Sequence, residues 1–391
     1  MLLVGIASVP AHAEGLRDRQ WQLTTMGAEK IWQISTGKDV TVAVIDSGVD
    51  KNNPDLRGQV LKGKDYYPAK PGDEATDFDG HGTSMAGLIA GTGARDGGNG
   101  TFGLAPGSKI LPIRVPSGDD DGHSQAAADA EFNRILPGAI RFAVDSGAKV
   151  VNISIAVETG SPQVTEAVKY ALDKGSLVFA GVGNDAQRGN KTLYPAATPG
   201  VVGVGAIDKK LTRIPISQYG PQVDLVAPGK DTFAACGLGD GTCTSSGTSN
   251  ATALASAAAA LIWSKHPDWT NNQVLKVMLN TIAAPTEGDK RNDYIGFGAI
   301  RPLRALKTPG DPGPAGVRPI QDLEENVSAA PSGPASEGAT PAAPSTAAPA
   351  PAPAAQEKSD EGLSATLLIG IGIGAAVLIG GAVVALRGRR N

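Results

Sequence analysis

Six short apolar runs rich in β-branched residues, at 40–45, 109–115, 149–155, 176–182, 201–207 and 223–227, constrain this chain more than any other feature. Each is followed by glycines and then by a stretch of helical character. A strand that is apolar on both faces must be covered on both, and the alternation with helices supplies the cover. The pattern predicts an α/β fold of three layers around a mainly parallel central sheet. In such sheets ligands collect beyond the carboxyl ends of the strands. Chemistry is therefore expected at those ends.

The sheet-forming region stops well before the chain does. Every aromatic residue lies at or before Phe297, so the remainder has no large anchor for a core. Positions 309–362 hold eleven prolines among Ala, Ser, Gly and acidic residues, a composition that cannot bury enough apolar surface to offset ordering, and read as a linker. Residues 363–386 carry neither charge nor proline over 24 positions. As a helix they would reach about 36 Å, enough to cross a hydrocarbon layer of about 30 Å. Arg387, Arg389 and Arg390 follow while Asp360 and Glu361 precede. The positive-inside rule thus places a tail at 387–391 in the cytoplasm and everything before the span outside. Residues 1–13 end in Ala11-His12-Ala13 after an apolar stretch, an export-signal pattern without a basic start, read as part of a longer signal. The expected division is signal 1–13, extension 14–39, one globular domain 40–308, linker 309–362, transmembrane helix 363–386 and tail 387–391.

The net charge of −4 and the absence of a Lys/Arg-rich stripe argue against a nucleic-acid partner. Two cysteines and four histidines cannot build a multi-cysteine zinc module. Asp46 follows the first apolar run, where a strand leaves the sheet; alone it would pass for a loop or cap residue. His81 is the one histidine with a built platform, flanked by Gly80 and Gly82 and followed by small residues suited to a helix lying close to a sheet. His12 falls in the signal, His266 in an exposed-looking KHPDW, and His123 after the acidic run 119–121, read as a surface loop. Ser249 opens a long alanine-rich helix after a glycine-containing turn. A serine there is by default an N-cap, yet a helix start also offers unpaired N–H groups and positive potential to a developing oxyanion. A serine hydroxyl becomes a useful nucleophile when a neutral imidazole removes its proton and a carboxylate orients that imidazole. Asp46, His81 and Ser249 supply one group of each kind, in the chain order known for subtilisin.

The segments VAVIDSGVD, DGHGTSMAG and SSGTSNATA around these residues resemble the three motifs of the subtilases, and the resemblance runs from about Val40 to Leu306. It implies a subtilisin-like fold and a serine endopeptidase with Asp46, His81 and Ser249 as catalytic residues. Asn184, in FAGVGND, matches the family's oxyanion asparagine. Asn152, Ser154, Ile155 and Ala156 match the strand along which substrate is laid, and Gly181, Val182 and Gly183 match the opposite wall of the first specificity pocket. Gly82 to Ala86 spells the family's usual serine motif, but Ser84 lies in the histidine segment and is assigned a packing role. Ala156 stands where glycine is common and Ala253 where proline usually follows the serine. The G-x-S-x-G elbow of esterases is absent around Ser249. Cys236 and Cys243, in an exported chain, are expected to form a disulfide near the nucleophile.

The whole layout is similar to that of the mycosins, membrane-anchored proteases associated with type VII secretion in actinobacteria. On that resemblance Trp21 and Trp32 are expected to fasten the extension to the domain. The expected partners are a protein or peptide substrate, the lipid bilayer and a type VII secretion membrane complex. No cofactor is expected for catalysis, with room left for structural calcium. The alternative reading is a structural or docking subunit of a secretion complex in which proteolysis is secondary.

Overall fold

The computed structural model describes residues 15–117, 124–286, 288 and 290–323. All of them belong to one unit, Met1–Asn326. The expected signal, the acidic run 119–121, His123, the span at 363–386 and the tail at 387–391 lie outside the described residues. Among those described, no helix is long and apolar enough to cross a membrane.

Seven parallel strands form the central sheet: β1 (Thr41–Asp46), β2 (Lys64–Asp65), β3 (Lys109–Arg114), β4 (Val150–Ile153), β5 (Leu177–Gly181), β6 (Val202–Ile207) and β7 (Leu225–Pro228). Their order is β2-β3-β1-β4-β5-β6-β7. The six apolar runs are the six longer strands; β2, two residues at the edge, is the one the hydrophobic pattern does not reveal. A hairpin of β8 (Thr232–Ala235) and β9 (Thr242–Ser245) stands apart from the sheet.

Strand periodicity divides the core in two. On β1, Val42 and Val44 point into one cluster while Ala43 and Ile45 point into the other, and β5 repeats this with Leu177 and Phe179 against Val178 and Ala180. The first cluster is covered by α3 (His81–Ala90) and α6 (Thr248–Lys265), the second by α4 (Gln125–Asp145) and α5 (Pro162–Asp173). In α6 every residue from Thr248 to Trp263 is buried, so it is a core helix with no solvent face over that length. Its alanines let the sheet and α3 come close from several sides. Ala253, where the family favours proline, lies buried within α6.

The extension is docked by side chains donating to backbone carbonyls. Around α1 (Trp21–Met26) and α2 (Ala28–Trp32), Trp21 Nε1 donates to the carbonyls of Lys230 and Asp231 at 3.0 and 3.1 Å, and Trp32 Nε1 to Leu104 at 2.9 Å. Leu23 and Ile31 are fully buried beneath them.

The far boundary differs from expectation. Residues 309–323, assigned to the linker, lie against the domain instead. Near α7 (Asn271–Thr281), Thr270 Oγ1 donates to the Ala315 carbonyl at 2.9 Å and Gln273 Nε2 to Gly313 at 3.0 Å. Further on, Ile320 is buried and Asp322 Oδ2 accepts the Gly200 N–H at 2.8 Å. A proline-rich segment that forms no regular element can still dock through its carbonyls, a carboxylate and a buried isoleucine, and composition averaged over 54 positions conceals this.

Asp55 is a buried carboxylate that accepts four hydrogen bonds with its side chain. Fully buried, it accepts from Arg95 N and Nε at 2.9 and 3.2 Å and from Thr101 N and Oγ1 at 3.1 and 2.9 Å. Removing one partner of a buried charged pair strands the other. Asp55→Ala is expected to destabilise the domain by about 3–5 kcal/mol, measured by urea unfolding.

Candidate active site

β1 ends in Asp46, whose side chain is fully buried, and α3 begins with His81. His81 Nδ1 donates to Asp46 Oδ1 at 2.7 Å. The approach of helix to strand depends on Gly82, where a Cβ would fall 2.1 Å from the Gly48 carbonyl oxygen and 3.1 Å from Asp46 Cβ. Only a residue without a side chain fits there. Asp46 Oδ1 also accepts the Ser47 N–H at 2.8 Å, while Oδ2 is buried with no partner among the described residues.

Ser249 is the second residue of α6 and lies at the neighbouring strand end. Its Oγ donates to the Ser154 carbonyl at 3.3 Å, and Ser154 directly follows β4, the strand beside β1. The hydroxyl is thus turned toward the β4 extension rather than bonded to His81. The Ser249 N–H belongs to the first turn of α6 and has no acceptor within the helix.

Asn184 completes the group. Its Oδ1 accepts the Thr248 N–H at 2.9 Å, which fixes the amide orientation and leaves Nδ2 free to donate over the start of α6. Gly183, with φ of 108°, makes the turn that delivers Asn184, in a left-handed region that few residues other than glycine tolerate. Thr248 Oγ1 accepts the Gly183 N–H at 3.2 Å, tying the two segments together.

The remaining expected residues divide. Ser154, Ile155 and Ala156 are half-buried beyond the paired part of β4, and Gly181, Val182 and Gly183 are buried across from them at the end of β5. Asn152 is a correction. It is fully buried; its Oδ1 accepts from Ser256 on α6 at 3.1 Å and its Nδ2 donates to Ser154 Oγ at 3.1 Å. Asn152 shares the Val150 face of β4, toward α6, so it braces the strand from beneath and cannot touch substrate. Ser84 is buried within α3. His266 stacks on Trp269 with ring centroids 3.8 Å apart, just past the C-terminal end of α6.

The expected disulfide is a second correction: Cys236 and Cys243 are free thiols. In the β8–β9 register Cys243 faces Ala234, while Cys236 lies beyond the last pair, diagonal to it. The Cys236 thiol donates to the Leu238 carbonyl at 3.7 Å, and a hydrogen bond from Cys243 brings the Cys236 pKa down to about 7 while that of Cys243 rises.

Three functional neighbours escaped the sequence reading: Ser47, Asp77 and Asp79. Asp79 Oδ1 accepts the His81 N–H at 2.8 Å and Oδ2 accepts from Ser117 at 2.7 Å. The signal for the two aspartates was the DFD immediately before Gly80. Burial opposes charging of His81, but Asp46, through charge and hydrogen bond, then Asp79 and Asp77 through charge, outweigh it and push its pKa up to about 9. Among the described residues, no group of three or more His, Cys, Asp or Glu is placed to hold a metal ion.

Sheet order, helical layers and an Asp–His pair at the carboxyl edge define a subtilisin-like α/β domain. Residues 37–298 match the sequence pattern of the subtilase family, peptidase family S8. The chain is 33% identical over 276 residues to a thermophilic serine proteinase of Bacillus sp. (strain AK1), covering 70% of this chain and 64% of that protein. The structure is similar to that of the MycP3 protease from the type VII (ESX-3) secretion system, with TM-score 0.66 and 30% identity over 77% of this chain and 90% of the other. It is also similar to a chain of the intact ESX-5 inner membrane complex, with TM-score 0.69 and 25% identity over 84% and 86%. The chain belongs to the subtilase family.

Proposed function

We propose that this protein is a membrane-anchored, extracytoplasmic serine endopeptidase. Ser249 Oγ attacks the peptide carbonyl carbon while His81 Nε2 takes its proton, and Asp46 holds the imidazole by its Nδ1–H. The oxyanion is received by Asn184 Nδ2 and the Ser249 N–H. His81 then gives the proton to the leaving amine, and water repeats the sequence to release the acyl group. Substrate runs along Ser154, Ile155 and Ala156 as an added strand, with its first side chain toward Gly181–Gly183. Apart from the hydrolytic water, every step draws on side chains and backbone; structural calcium would act on the fold only. The observation that carries this reading is the 2.7 Å Asp46–His81 bond beside an asparagine whose oxygen is already taken by Thr248. The full chain should react with a fluorophosphonate at Ser249, and labelling of another serine would refute the assignment.

The pH dependence follows from His81, which must be neutral to accept a proton. Its raised pKa predicts that kcat/KM climbs with pH through about 9. Stability runs the other way. The folded pKa lies above the ordinary 6.5, so the imidazolium–carboxylate pair stabilises the fold fully below about 6.5 and is lost as pH rises through about 9. In the Ser249→Ala chain, which cannot digest itself, Tm should fall over that window, and the fall should be smaller in a Ser249→Ala chain also carrying His81→Gln.

The second reading, a structural subunit of a secretion membrane complex, draws on the likeness to a chain of the ESX-5 inner membrane complex and on the expected helix at 363–386. Export that survives Ser249→Ala but fails on removal of 363–386 would favour it; the reverse favours the peptidase.

A further inference from the structure

Ser47 stands among three carboxylates, Asp46, Asp77 and Asp79, and has one proton to give. Its Oγ accepts the Gly82 N–H at 2.9 Å, and the nearest acceptors of the proton are Asp77 Oδ1 at 2.9 Å and Asp46 Oδ1 at 3.2 Å. Asp77 is held in place independently of Ser47. It accepts from Gly80 N at 2.9 Å, from Thr83 N at 2.8 Å and from Thr83 Oγ1 at 2.5 Å, all at the start of α3. Asp46, by contrast, has among the described residues no partner on Oδ2 and two committed donors on Oδ1, His81 Nδ1–H and the Ser47 N–H. Each further hydrogen bond to a carboxylate stabilises its charge and weakens its hold on a neighbouring imidazolium. The destination of one hydroxyl proton therefore tunes His81 at one remove.

We propose that Asp77 is a positioning residue which, by taking the Ser47 proton, withholds a hydrogen bond from Asp46 and so keeps His81 a strong base. The proposal rests on the reading of His81 as the proton acceptor of Ser249. The ionisable groups facing Asp77 are Asp79 and His81 along its own segment, Asp46 from β1 and the Cys236 thiol from the β8–β9 hairpin. Burial raises the Asp77 pKa against the hydrogen bonds from Thr83 and Ser47. Protonation of Asp77 would turn the Ser47 proton back toward Asp46 and lower the basicity of His81.

The test reads His81 directly, by NMR titration of the full chain labelled with ¹⁵N-histidine, its signal identified by its loss in His81→Gln. Because no turnover is needed, the result stands apart from any failure of the peptidase reading. In Asp77→Asn the oxygen can keep Thr83 while the new amide gives up the Gly80 N–H bond and donates to Ser47 Oγ, sending the Ser47 proton to Asp46. The His81 midpoint should fall by about one unit. Loss of a nearby negative charge would by itself lower the midpoint too, so the deciding arm repeats Asp77→Asn in a Ser47→Ala chain. There the shift should be less than half as large, and Ser47→Thr, which keeps the hydroxyl, should restore it. Ser47→Cys, whose thiol is a weak donor, serves as a second background if Ser47→Ala does not fold. Equal shifts with and without the hydroxyl, or a lowered Tm with no shift in His81, would overturn the proposal.

Discussion

Ser249→Ala is expected to remove turnover by a factor on the order of 10⁶ in kcat, the size of the loss when the nucleophile of subtilisin is removed. The fold should be nearly indifferent to the change. The hydroxyl makes one hydrogen bond, a 3.3 Å contact to the Ser154 carbonyl, and the neighbouring Thr248 and Asn184 contacts do not involve it. Loss of activity with an unchanged Tm separates chemistry from folding, and retention of more than about one part in a thousand of the wild-type rate would remove Ser249 from the mechanism. Ser84 offers the internal control. It carries the same GTS context but is buried in α3, so Ser84→Ala should leave fluorophosphonate labelling intact.

Asn184→Ala should lower kcat by about 10²–10³ and leave KM close to its original value, because the amide meets charge that exists only once the tetrahedral intermediate forms. The geometry makes this sharper than a generic oxyanion argument. The Thr248 N–H occupies Asn184 Oδ1 at 2.9 Å, so the side chain is held with its donor outward before substrate arrives. Asn184→Asp would keep the Thr248 contact and present a carboxylate where the donor was, and should fall further than alanine. Equal effects on kcat and KM in Asn184→Ala would mean that the residue binds ground-state substrate instead.

Much of this was written in the order of residues. The six longer strands were legible because a buried parallel strand must be apolar on both faces, and each run carries that mark. Strand β2, Lys64–Asp65, was not, since two polar residues at a sheet edge leave no pattern. The β8–β9 hairpin was missed for a related reason: TFAA and TCTS are short and partly polar, and without their register the two cysteines looked like a closed loop when they sit diagonally across a ladder. Asn152 shows how far a simple rule could have gone. Alternation on β4 puts it on the Val150 face, beneath the sheet edge and against α6, and only the residues beyond Ile153 are free to meet a substrate chain. Ser47 and Asp77 were out of reach, because the hydrogen bond joining them spans 30 residues and depends on how α3 is seated against β1.

The pH behaviour couples these parts. A base held near 9 by three carboxylates is most active where the ion pair that holds it has begun to contribute less to stability. Activity and thermal stability should therefore move in opposite directions between pH 6.5 and 9.

The most direct measurement is a crystal structure of the chain after reaction with a peptidyl phosphonate. Convergence of acid, imidazole, alcohol and amide predicts a phosphorus–oxygen bond to Ser249 Oγ, with the phosphonyl oxygen about 2.7–3.1 Å from Asn184 Nδ2 and from the Ser249 N–H, and the Asp46–His81 bond retained. An adduct on any other residue, or one on Ser249 whose oxygen points to solvent with Asn184 out of reach, would contradict it.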